Sequence, residues 1–182
     1  YHTFTPTSVS AANDTTVFDT GAAQKLYSHE AALYALDEFD LNDKIRLNVG
    51  LRYSAFAHVG PFTRYVKGDG ISTQDTTIQY HKGDLIKFYN GLEPRISMRW
   101  LLPDNSSIKA GYAYNYQYVH LTSLSAVSLP TDIWFPTTDI AKPEKGWQGS
   151  LGYFRNFFND KFESSVEVYY KGMKNLIEFK EG

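Results

Sequence analysis

Apolar and polar residues alternate with a period of two along several long segments of this chain. From Lys44 to Phe56, Ile45, Leu47, Val49, Leu51 and Tyr53 share one side, while Arg46, Asn48, Gly50 and Arg52 share the other. A period of two belongs to a strand, whose successive side chains point to opposite faces of a sheet. Segment 107–118 sets Ile108, Ala110, Tyr112, Tyr114, Tyr116 and Tyr118 against Lys109, Gly111, Ala113, Asn115 and Gln117. Segment 92–101 opposes Leu92, Pro94, Ile96, Met98 and Trp100 to Glu93, Arg95, Ser97 and Arg99. Segment 162–171 opposes Phe162, Ser164, Val166, Val168 and Tyr170 to Glu163, Ser165, Glu167, Tyr169 and Lys171.

Two further segments are less regular. Residues 147–158 group Trp147, Leu151, Tyr153 and Phe157, but Arg155 joins that apolar face. Residues 29–41 place Ala32, Leu36 and Phe39 near helical spacing, and Ala and Leu favour helices. The segment leads through Asn42-Asp43 directly into a clear strand, so a strand is expected there too. Pro94 would lose a ladder hydrogen bond in a central strand, which predicts a bulge or local irregularity.

The pattern therefore predicts an all-β fold of six antiparallel strands in three hairpins: about 29–41 with 44–56, 89–101 with 107–118, and 147–158 with 161–173. The turns at about 42–43, 103–106 and 159–160 are short and polar, whereas the stretches at about 57–87 and 119–146 are long. A transmembrane β-barrel has this asymmetry, with short periplasmic turns and long extracellular loops. On that reading residues 1–182 form one partial barrel domain, with a further extracellular stretch at about 1–28. Each strand approaches or exceeds the roughly 9–11 residues that a tilted barrel strand needs to cross a bilayer. A soluble antiparallel sandwich also alternates apolar and polar residues. Strand length and unlike rims favour the barrel, because ordinary strands are shorter and a sandwich has no need of two different rims.

Composition agrees. The 14 Tyr, 12 Phe and 3 Trp make up 16% of the chain, and these residues suit pleated surfaces and membrane interfaces. A net charge of −2 leaves no polybasic footprint and argues against nucleic acid as a partner. The absence of cysteine excludes a disulfide framework and thiolate metal sites. No apolar run is long enough for a transmembrane helix, which leaves a barrel open because its strands face lipid and lumen alternately. The start, Tyr1-His2-Thr3-Phe4-Thr5-Pro6, lacks the basic and apolar regions of a signal peptide. An exported protein of this sequence is then mature, or part of a longer chain.

Candidate chemistry is sparse. His2, His29, His58, His81 and His120 have no mutual spacing that suggests a metal site, and read as scattered loop histidines. No Ser/His/Asp constellation is supported, and Gly68-Asp69-Gly70 reads as a turn because no helix follows it to cradle phosphate. The expectation is no enzyme, no cofactor and no metal. Asp132-Ile133-Trp134-Phe135-Pro136 is the most distinctive loop element. Trp134 and Phe135 suit stacking on a sugar or hydrophobic ligand, and equally suit packing within the loop or an aromatic girdle. The tyrosine stripe 112, 114, 116 and 118 reads as lipid-facing or interfacial. Arg46, Arg52, Arg95 and Arg99 share the polar face and suit an anionic ligand.

Three groups of residues carry a family resemblance. Leu36-Asp37-Glu38-Phe39, Asn42-Asp43-Lys44 and Leu47-Asn48-Val49-Gly50-Leu51-Arg52-Tyr53 form one. Leu92-Glu93-Pro94-Arg95-Ile96-Ser97 with Ser107-Ile108-Lys109-Ala110-Gly111-Tyr112 form a second. Ile140-Ala141-Lys142-Pro143-Glu144-Lys145 with Gly149-Ser150-Leu151-Gly152-Tyr153 form the third. In order and spacing they resemble hairpins of TonB-dependent outer-membrane receptors, over about residues 29–179. The resemblance implies a barrel of about 22 strands around an N-terminal plug, energised through TonB, importing a siderophore, cobalamin, glycan or peptide across a Gram-negative outer membrane. It implies as partners the plug, the remaining barrel strands, the TonB complex and outer-membrane lipid. The arginine face then suits plug acids as well as an anionic ligand.

The chain departs from the family pattern in lacking a plug, a TonB box and a terminal aromatic residue, ending as it does in Phe179-Lys180-Glu181-Gly182. Six strands are also too few to close a membrane barrel, and open edges are not tolerated in hydrocarbon. A contiguous stretch of a larger barrel wall is expected, beginning and ending in extracellular loops. The rival functions are a soluble β-sandwich carbohydrate-binding module, motivated by Trp134 and Phe135, and a barrel serving adhesion or surface structure without transport.

Overall fold

A computed structural model describes residues 1–4, 12–13, 16–17, 25–66, 76–122, 133–158 and 161–177. Among the described residues there are thirteen elements, all strands: β1 (His2–Phe4), β2 (Ala12–Asn13), β3 (Thr16–Val17), β4 (Leu26–Asn42), β5 (Ile45–Val59), β6 (Phe62–Val66), β7 (Thr76–Tyr80), β8 (Leu85–Leu102), β9 (Ser106–Gln117), β10 (Val119–Thr122), β11 (Ile133–Pro136), β12 (Glu144–Phe157) and β13 (Phe162–Lys174). One curled sheet of seven strands runs in the order β1-β4-β5-β8-β9-β12-β13. Its six long members are the three predicted hairpins, and the short β1 adds a strand against the start of β4. Residues 29–41 are strand, as the continuity through Asn42-Asp43 required.

The small sheets β2-β3, β6-β7 and β10-β11 lie in the stretches expected to be long loops. The long strands also reach further than the alternation suggested, so that β5 runs to Val59 and β8 begins at Leu85. These additions all lie toward the long-loop rim.

The short-turn rim is built by local chemistry. At the β4–β5 turn, Asn42 Oδ1 accepts hydrogen bonds from the backbone N–H groups of Lys44 and Ile45, both at 2.9 Å. Such side-chain capture of the backbone is why Asn favours turns. At the β8–β9 turn, Asp104 and Asn105 take φ of 62° and 51°, a left-handed region that short polar side chains tolerate best. Ser106 Oγ donates to the Pro103 carbonyl at 2.8 Å. The third turn includes residues 159–160, which fall outside the described residues, as does Gly68-Asp69-Gly70.

Register fixes the two faces. Leu47, Met98, Ala110, Leu151 and Val168 form one cross-strand row with Phe39, and Val49, Ile96, Tyr112, Gly149 and Tyr170 form the next with Asp37. On this convex face Leu33, Leu51, Leu92, Ile96, Leu151, Val166 and Val168 are all exposed. A soluble sandwich would bury such a face against a second sheet, whereas a barrel wall presents it to lipid. Arg155 is on the same side near the short-turn rim, its guanidinium 4.9 Å from the Phe157 ring centre, as suits a cation lying over an aromatic face.

Pro94 produces no register shift against β5, where it pairs with Leu51. The irregularity falls on the other side: the β8–β9 ladder ends at Arg95–Ala113, beside the residue that has no N–H to donate. β9 continues to pair with β12 as far as Gln117–Glu144. The upper part of β9 is therefore released from β8.

Candidate functional site

The concave face carries the polar half of every strand. Near the short turns, Asp40, Arg46, Arg99, Lys109 and Glu167 lie in one cross-strand row with Gly152, and Glu38, Asn48, Ser97 and Ser150 fall in the next. All of these except Asp40 line a groove of about 440 Å³ that spans six strands. Arg46 holds Asp40 with two bonds, Nε to Oδ1 at 2.7 Å and Nη2 to Oδ2 at 3.2 Å, and reaches Glu38 at 3.3 Å. Arg52 lies 3.9 Å from Glu30, which also approaches His2 at 3.8 Å. Arg95 and Arg99 make no ion pair with a described residue, so their charge remains available on this face.

Toward the long-loop rim the same face is covered. Freed beyond Ala113, β9 leans inward, and its even-numbered side chains pack on the inner side of β8 and β5. The Tyr116 ring fills the space where a side chain on Gly91 would lie, with a Cβ there only 2.3 Å from the ring. Tyr118 stacks on Phe56 with ring centres 5.2 Å apart, and its hydroxyl is 2.9 Å from Ser54 Oγ. Phe56, Ser54 and Tyr118 are all buried.

The β10-β11 hairpin continues this inner layer across the sheet to reach β4 and β1. His120, buried, places Nε2 3.0 Å from Thr137 Oγ1 and Nδ1 3.2 Å from Glu144. Tyr89 donates to the Thr138 carbonyl at 2.8 Å, and Arg64 of β6 pairs with Asp139. These contacts tie the two long loops to each other and to the wall. Below this roof lie the cross-strand partners Ser28 and His58, both buried; neither Ser28 Oγ nor either His58 ring nitrogen is hydrogen-bonded to a described residue. His58 lies beyond residue 56, past the predicted spanning segment, and against the Phe62 ring. Burial lowers its pKa below the ordinary value, partly offset by the charge of Asp139.

Among the described residues there is no cluster of three or more His, Asp or Glu able to hold a metal. The arrangement is a charged inner wall beneath a packed roof, suited to holding a polar body by contact. Residues 1–182 match the family described as TonB dependent receptor-like, beta-barrel. The chain belongs to that family. No curated protein and no solved structure matches it.

In this receptor barrel, the four arginines singled out from the sequence are indeed on one face, but Arg46 and Arg52 are already engaged by acids of β4. Trp134 and Phe135 point to opposite sides of β11, as neighbours in a strand must. Trp134 is exposed, while Phe135 packs 5.3 Å from His120. The tyrosine stripe divides: Tyr112 stays exposed on the convex face, whereas Tyr116 and Tyr118 serve the inner layer. His58, in the wall strand β5 beneath the roof, and His120, in the roof, are buried rather than loose loop histidines. The sequence signals for the roof were Pro94 and the even-numbered pattern of β9, which runs on through Tyr118 to His120.

Proposed function

We propose that this chain forms part of the wall of an outer-membrane receptor that imports a scarce nutrient of the siderophore, cobalamin, glycan or peptide class. Membership of the TonB-dependent receptor barrel family supports an outer-membrane transport role. The observation that carries the reading further is the two-sided wall: exposed apolar side chains outside, and a charged concave face inside on which Arg95 and Arg99 make no ion pair with a described residue. The short-turn rim faces the periplasm and the long-loop rim the cell exterior. The groove holds a plug, whose acids meet Arg95 and Arg99, and TonB displaces that plug after solute binds under the roof. Trp134, exposed on β11, meets the solute. No bond chemistry is required of the wall.

Uptake of radiolabelled members of the four nutrient classes, compared in cells with and without the full-length receptor, tests this directly. TonB-dependent uptake of one class supports the reading. Equal uptake of all four with and without the receptor counts against transport and favours a structural or adhesive barrel.

A further inference from the structure

Between the charged groove and the roof, two rows of the concave face enclose a second hollow. Leu36, Gly50 and Arg95 form one row, and Tyr34, Arg52 and Glu93 form the next toward the long-loop rim. The row after that holds Ser54 and Gly91, which Tyr118 and Tyr116 of the roof already cover. The two uncovered rows border a cavity of about 430 Å³, within the size range of small-molecule sites. Its floor is apolar. Leu36 leans across Gly50, where a Cβ would stand 2.9 Å from the leucine Cδ1. Leu36 and Tyr34 are both exposed, although they stand on the polar side of the wall.

The sides of the cavity carry both signs of charge. Glu93 is only 7% exposed, yet it makes neither an ion pair nor a side-chain hydrogen bond with a described residue. Arg52, its cross-strand partner, instead lies 3.9 Å from Glu30. Arg95 makes no ion pair with a described residue either, and stands two residues from Glu93 on the same side of β8, about 7 Å along the strand. A carboxylate withdrawn from water is costly to leave unpaired. A purely cationic solute would meet repulsion from Arg52 and Arg95, and a purely anionic one from Glu93. A solute that carries both charges meets neither.

We propose that this cavity binds a short peptide with both termini free. Its ammonium donates to Glu93, its carboxylate accepts from Arg95, and an apolar side chain lies on Tyr34 and Leu36. Two residues of extended chain cover about 7 Å, so a dipeptide sets its termini apart on the scale of Glu93 and Arg95. The carboxylate takes the place on Arg95 that a plug acid holds in the empty receptor. The site rests on the reading of the chain as part of a solute importer, and narrows the solute to the peptide class.

The test uses the full-length receptor in dodecyl maltoside and equilibrium dialysis of radiolabelled dileucine, N-acetyl-dileucine and dileucine amide. Dileucine should bind at one saturable site. Removing either terminal charge should weaken binding about tenfold or more, the scale of one hydrogen bond to a charged group. Glu93→Gln should abolish the preference for dileucine over its N-acetyl form and spare the preference over the amide. Arg95→Gln should do the reverse. Leu36→Ser should lower the affinity for dileucine toward that for diglycine. A variant that merely loosens the barrel would lose both preferences together, and heat-modifiable migration on a gel identifies it. Equal binding of the three probes by the native receptor, or no saturable binding of dileucine, overturns the proposal. If dileucine does not bind and Glu93→Gln instead exposes the plug to protease, the cavity belongs to a plug side chain and the proposal is overturned as well. Uptake separates the site from the transport reading. TonB-dependent uptake of another nutrient class without dileucine binding sinks the site alone, whereas dileucine binding by a receptor that imports nothing sinks transport alone.

Discussion

The hydroxyl of Tyr118 lies 2.9 Å from that of Ser54, 64 residues earlier in the chain, and both groups are buried. This contact joins the roof to the wall, because Tyr118 belongs to the segment that leaves β9 and Ser54 to the middle of the sheet. With the Phe56 stack beside it, the contact anchors the inward course of the chain at one point.

Tyr118→Phe keeps the stack and removes the hydrogen bond, leaving Ser54 buried without its partner. The expected cost is about 1–3 kcal/mol, the penalty for an orphaned buried hydroxyl. Tyr118→Ala also empties the ring's space and should cost about 3–5 kcal/mol. Hydrogen exchange should quicken at residues 116–122 and 133–138 in both variants while the short-turn ends of β4 and β5 keep their protection. Unchanged exchange in Tyr118→Ala would show that the roof does not depend on this anchor.

Gly91 offers a second handle on the same layer. Gly91→Val puts a branched side chain where the Tyr116 ring now lies, against a clearance of 2.3 Å at Cβ. Overpacking of this kind costs about 1–3 kcal/mol, and here it should be relieved by the roof lifting rather than by the wall deforming. The expected result is greater tyrosine fluorescence quenching by acrylamide, with a normal heat-modifiable barrel. Replacing Gly83, where a side chain would meet nothing within 4 Å, should leave the quenching unchanged, although its φ of 89° makes that variant locally strained.

The wall was legible in the sequence because its cause is local. Lys44 to Ala55 alternates strictly, and a one-residue slip would turn Arg46 and Arg52 outward and Leu47 and Leu51 inward. The roof was not legible, although its residues kept the expected period. Tyr112, Tyr116 and Tyr118 share one side of β9, as the alternation implied, but that side changes environment once β9 leaves β8. Pro94 carried the warning, since it predicted an irregularity in the ladder. It could not say that the released strand would lean inward and set Tyr118 against Ser54. Nor could the pattern show that Arg46 is held by Asp40 while Arg95 and Arg99 make no ion pair with a described residue, because pairing depends on which strands become neighbours.

The two faces predict opposite tolerance to charge. Ile96→Lys places a cation among Val49, Tyr112 and Met98 on the convex side. In dilauroyl phosphatidylcholine vesicles it should lower unfolding stability by about 2–4 kcal/mol, as a lysine near the midplane of a barrel's lipid face does. Ser97→Lys, the next residue along the strand, points into the groove and should cost much less. Equal losses from the two neighbours would mean that the convex face does not meet lipid.

Roof docking should also respond to pH through His58. Its imidazole is buried between Phe62 and the segment bearing Asp139, with Ser28 as its neighbour on β4 and Lys87 as its register partner on β8. Burial holds its pKa below the ordinary value of 6.5, so the open, hydrated state binds a proton more readily than the docked one. Docking is therefore complete above that ordinary value and weakens as pH falls below it, through the range where only the open state is protonated. The Asp139 carboxylate limits the effect, because its charge favours the imidazolium. Hydrogen exchange at residues 133–138 should accelerate between neutral and mildly acidic pH in the native receptor. His58→Phe, which keeps the volume and loses the titration, should flatten that profile. Persistence of the full acid response in His58→Phe would move its origin to another group.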